Sequence, residues 1–136
     1  MSRDIFVQDI PKDANAVEDI PNDFQPTPIG TRSQIIQKIK EVVPEADFTN
    51  PAWGHIRGDG WSIEVNIGDS EECMGFAFHV RGEDEACGVV AAVLNALQLR
   101  AFDTQSRGFF VAGPEAIESF RSWRQYRDQV VNDKKS

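Results

Sequence analysis

Between residues 54 and 81 apolar and polar residues alternate with a period of two. Trp61, Ile63, Val65 and Ile67 are interleaved with Ser62, Glu64 and Asn66, and Phe76, Phe78 and Val80 with Ala77, His79 and Arg81. This is the pattern of strands with one buried face. It predicts strands near 54–57, 61–67 and 75–81. On either side the period becomes helical. Ile35, Ile36, Ile39, Val42 and Val43 form one stripe, opened by a capping box of Thr31 with Gln34 and closed by Pro44. Ala86, Val89, Val90, Val93, Leu94 and Leu97 form the inward stripe of a second helix, with Asp84 as its cap.

The flanks are less regular. "DIFVQDI", residues 4–10, reads as a strand at a sheet edge before Pro11. Residues 11–30 hold Pro11, Pro21, Pro26 and Pro28, which rules out a long helix or a central strand. They are expected to wrap the domain, anchored by Ile20, Phe24 and Ile29. "RAFD", residues 100–103, reads as a strand parallel to the 75–81 strand, because a helix connects them. "GFFVAG" adds a short strand. Pro114 opens a third helix with Ile117, Phe120, Trp123 and Val130 or Val131 facing inward. The expected fold is α+β: a mainly antiparallel sheet of about 4–6 strands with helices on one face. The order is β-α-β-β-β-α-β-(β)-α. It forms a single domain over residues 1–136, with a disordered tail at 132–136.

Composition narrows the function. At 136 residues, with nine Phe and three Trp, the chain can bury a substantial core unaided. A net charge of −8 argues against a nucleic-acid or anionic-membrane partner, since phosphate binding needs a positive field. No apolar run approaches the roughly 20 residues of a membrane span. The N-terminus is too charged for a signal peptide, so the expected location is cytoplasmic. Cys73 and Cys87 make neither a disulfide framework nor a metal cluster of their own.

The chemistry lies on the polar side of the strands. Asp59-Gly60 is the strongest hairpin turn in the chain. With that loop, Gly58 faces Trp61, Ile56 faces Ile63, His55 faces Glu64, and Arg57 faces Ser62. In the next hairpin, pairing Val65 with Phe78 places Glu64 opposite His79 and Ser62 opposite Arg81. The outcome is a row His55–Glu64–His79 beside a row Arg57–Ser62–Arg81. Any other register of that second hairpin breaks the first row. As cross-strand pairs such residues contribute roughly 0.2–1 kcal/mol and need no ligand. Two His with one carboxylate also form a ligand set for zinc. A His–Glu pair can instead act as an oriented base, with the arginines holding an anionic substrate.

Other features have simpler explanations. Arg57-Gly58-Asp59 spells an integrin-binding tripeptide, but turn chemistry accounts for its Gly and Asp. Cys87 falls in the first turn of the second helix, where a thiol is acidified, yet no Cys-His motif surrounds it. Arg121, Arg124 and Arg127 are cations late in a helix, which its dipole favours. Trp53 either covers the sheet edge under the wrap or points to the polar face in register with Asn66, as an interface anchor. No glycine-rich phosphate loop, nucleophile elbow or Cys-x-x-Cys occurs.

The strings "FVQDIP", "PIGTR", "PAWG", "SIEVNIG" and "FHVRG" resemble a group of small hypothetical bacterial proteins over most of residues 4–103. The resemblance implies neither an activity nor catalytic residues. In size and acidity the chain is also similar to bacterial immunity proteins, an analogy only. The leading expectation is therefore a small acidic module that binds another protein without catalysis, immunity-like or regulatory. Its surface comprises Trp53, His55, Arg57, Glu64, Asn66, His79 and Arg81. The alternative is an enzyme acting on a small anion, using His55, Glu64 and His79 with zinc or as a base. An enzyme requires that row to be concave and shielded by the wrap; a binding module requires it exposed.

Overall fold

A computed structural model describes residues 3–82, 84–105 and 108–111, together with 118, 121, 122 and 125. Its main sheet has six strands in the order β3-β4-β6-β1-β7-β8. They are β1 (Arg3–Gln8), β3 (Trp53–Gly58), β4 (Trp61–Asn66), β6 (Gly75–Arg81), β7 (Arg100–Asp103) and β8 (Gly108–Phe109). Neighbouring strands are antiparallel throughout. A second sheet pairs β2 (Gly30–Thr31) with β5 (Glu72–Cys73). The helices are α1 (Arg32–Val42) and α2 (Asp84–Leu97). This is the α+β class with a mainly antiparallel sheet.

Each element follows from local chemistry. Thr31 Oγ1 accepts from the Gln34 backbone N–H, and Gln34 Oε1 accepts from the Thr31 N–H, closing the capping box of α1. The β3–β4 hairpin turns on Asp59-Gly60, where Gly60 has φ +79°, a conformation costly for other residues. Gly58 is required for a different reason. A Cβ there would lie 2.0 Å from the Trp61 indole, which is buried and donates its N–H to Glu85.

One face of the sheet is dry. Ile5, Val7, Ile56, Ile63, Val65 and Phe78 are at most 1% exposed and meet Ile35 and Ile39 of α1 and Val89, Val90 and Val93 of α2 in a single cluster. Both helices therefore cover the same side.

One expectation requires correction, and two others gain detail. β1 is not an edge strand: it lies between β6 and β7 and is hydrogen-bonded on both sides. Pro11 stands beyond the end of the strand and so removes no ladder bond. β7 does run parallel to β6, but β1 is inserted between them, since both pair antiparallel with it. Cys73 lies in the connection between β4 and β6. It is buried in β5, where its carbonyl accepts from Ile29 N–H. The third helix and the tail lie outside the described residues, save for Glu118, Arg121, Ser122 and Gln125. These four are helical and exposed.

Candidate functional site

The opposite face of the sheet takes no part in the core cluster. Both hairpins adopt the registers that build the polar rows. His55 faces Glu64, Glu64 faces His79, Arg57 faces Ser62, and Ser62 faces Arg81. Arg57 and Arg81 are exposed, and His55, Glu64 and His79 are half-buried.

The middle row is longer than its three predicted members. β1 places Asp4 opposite His79, and an isolated bridge places Asp47 opposite His55. Carboxylate and imidazole thus alternate along Asp47, His55, Glu64, His79 and Asp4, and both histidines of the chain are in this row. Asp4 Oδ1 accepts from His79 Nδ1 at 2.8 Å, so His79 is oriented by Asp4 and not by Glu64. Asp47 accepts from Thr49 backbone N–H and Oγ1 at 2.9 and 2.6 Å. These bonds, helped by the nearby His55 and Arg57, hold its carboxyl below the usual range.

Among the described residues no three of His, Cys, Asp and Glu come together to hold a metal ion. Opposed residues on a twisted sheet share a row without converging on a point. The wrap does not shield the row through the contacts that secure it. Thr27 bonds Asp9, Pro11 carbonyl accepts from Arg100, and Ile29 bonds Cys73, all near the Gln8 end of the sheet.

An aromatic row lies next to the acidic one. Trp53 faces Asn66, Asn66 faces Ala77, Ala77 faces Phe6, Phe6 faces Phe102, and Phe102 faces Phe109. Trp53 does not hide the sheet edge. It points to the polar face, and its ring stacks on His79 with centroids 5.9 Å apart. At the far end Phe102 and Phe109 are in ring contact, and the Arg100 guanidinium lies 4.1 Å over the Phe109 ring. Phe6 remains 43% exposed.

This aromatic row was missed in the sequence because Phe6, Phe102 and Phe109 belong to three separate strands. The signal was available in Phe6, which breaks the alternation by standing between Ile5 and Val7.

No protein-family model, curated protein or solved structure matches the chain. The reading of the site therefore rests on its own geometry.

The two cysteines lie on the helix side. Cys87, in the first turn of α2, accepts from Arg3 Nη1 at 3.3 Å. Arg3 also grips the buried carboxylate of Asp103, with Nε 3.0 Å from Oδ1. Burial pushes the Cys73 thiol up from its ordinary value. A raised thiol pKa means stability present below the ordinary thiol pKa and lost as pH rises through the folded value. It also leaves little thiolate to react. At pH 8, alkylation of Cys73 in the native protein is expected to be at least about tenfold slower than in urea. Mass spectrometry of a Cys87→Ala variant checks this, and equal rates would refute it.

The described helices include none long and apolar enough to cross a membrane.

Proposed function

We propose that the chain is a protein-binding module without catalysis, immunity-like or regulatory, and that its partner contacts the face of the six-stranded sheet opposite α1 and α2. One observation carries this reading. A row holding Trp53, Phe6, Phe102 and Phe109, interrupted by Asn66 and Ala77, stands on the side of the sheet that the core cluster leaves out, with Phe6 43% exposed. Aromatic residues ringed by charged ones are the composition of interface centres. Trp53, His55, Glu64, Asn66 and His79 form one half of the surface. Arg57 and Arg81 rim it, and Phe6, Phe102 and Phe109 extend it. The net charge of −8 suits a cationic partner.

The test places a photo-crosslinking amino acid at Phe6, and separately at exposed Gln37 on α1, in living cells. The expected outcome is one adduct of defined mass from position 6 and none from position 37. Adding Trp53→Ala should reduce that adduct about tenfold or more, the effect of losing an aromatic anchor. Equal adducts from both positions, or none from position 6, would overturn the proposal.

A further inference from the structure

We infer that the occupant of this face is an amphipathic α-helix of a partner protein, laid across the strands with its apolar stripe on the aromatic row and a Lys/Arg flank on the row of Asp47, Glu64 and Asp4. The inference rests on the reading of the open face as an interface and adds the form and charge of what binds there.

The dimensions fit. The aromatic row crosses all six strands, from Trp53 on β3 to Phe109 on β8. Five inter-strand steps of about 4.8 Å give roughly 24 Å. A helix covers that length in about 16 residues at 1.5 Å per residue. The row is uneven in height. Ala77, buried at 7% exposure, and Asn66 sit between Trp53 on one side and the phenylalanines on the other. A helix stripe spaced i, i+3, i+4 and i+7 presents its large side chains along such a row.

The charge pattern gives the flank its sign. Successive residues on one strand face are about 7 Å apart, close to the reach of a side chain from the shoulder of a helix about 10 Å across. On one shoulder the occupant meets three carboxylates, with the imidazoles of His55 and His79 between them. A cationic shoulder pairs with these carboxylates. One row further lie Arg57 and Arg81, which repel a partner that is basic all round. The face therefore discriminates a one-sided basic helix from a polycation.

The measurement is an NMR titration of the ¹⁵N-labelled full chain with synthetic 18-residue helical peptides. One carries a Leu stripe with a Lys flank, and the other carries the same stripe with a Glu flank. The Lys peptide is expected to shift the signals of Phe6, Trp53, His79 and Phe102, to bind about tenfold more weakly to Glu64→Gln, and to weaken as salt rises. Three results overturn the inference. They are the Glu peptide binding as tightly as the Lys peptide, the Lys peptide shifting residues elsewhere or none at all, and the unliganded chain already self-associating through Phe6. If position 6 still yields its adduct in cells while the Lys peptide fails, the face remains an interface and only the basic helix is refuted. If both fail, the interface reading falls with it.

Discussion

Replacing Arg3 by Ala is expected to destabilise the fold by about 3 kcal/mol or more, because it strands a charge inside the protein. Asp103 is 2% exposed, and Arg3 holds it through both carboxylate oxygens. The Gln105 backbone N–H, 3.0 Å from Oδ1, also donates to that carboxylate. A neutral amide does not replace a bound guanidinium in offsetting the desolvation of a full charge. Arg3 also packs its guanidinium over the Phe110 ring and donates to Cys87, so its removal loosens three elements together. Urea denaturation measures the loss. The double variant Arg3→Met with Asp103→Leu is expected to recover most of it, because burying neither charge is close to neutral. A single variant within about 0.5 kcal/mol of the parent would show that the pair does not matter.

The second large effect is at the centre of the sheet. Phe78→Ala is expected to cost about 3–5 kcal/mol, the usual range for emptying a fully buried phenylalanine site. Phe78 has no exposed surface, faces Val65 on β4 and Ile5 on β1, and meets the Phe76 ring edge-on at 5.2 Å. Neighbours held in two ladders cannot move in to fill the cavity. Phe78→Leu keeps most of the volume and should cost less than half as much, so the pair of variants separates cavity formation from loss of the aromatic ring. Equal losses for both would contradict the cavity argument. Phe78 also lies next to Ala77 and His79 of the open face. The Ala variant should therefore weaken any partner through a loosened sheet, whereas Phe6→Ser should weaken the partner and leave the urea midpoint nearly unchanged.

How much of this was legible in the sequence depended on distance along the chain. The β3–β4 register follows from a two-residue turn and an alternation on both sides, all within residues 53–66. Trp61, Ile63 and Val65 have no other way to share a face with Ile56. The position of β1 was not legible, because Ile5 pairs with Phe78 and with Asp103, and nothing near residue 5 announces either. The same gap hid Asp4 from the row, so His79 was given Glu64 as its partner. Asp47 was missed for a different reason. It joins the row through a single bridge outside any strand, which leaves no periodic trace. The pairing of β2 with β5 left no trace either, because a two-residue strand cannot show a period at all.

The insertion of β1 between β6 and β7 has a bearing on how the molecule assembles. β1 is made before every other strand of its sheet, yet its two neighbours follow only at residues 75–81 and 100–103. Pairings of such long sequence separation require large loops to close before any contact repays the lost entropy, and they slow folding. The β3–β4 hairpin, closed by two residues, has no such delay. Ile5, Phe6 and Val7 must therefore wait as an unpaired apolar strand through most of synthesis, a condition that favours wrong pairings between nascent chains. The centre of the finished sheet is completed only after its outer β3–β4 hairpin.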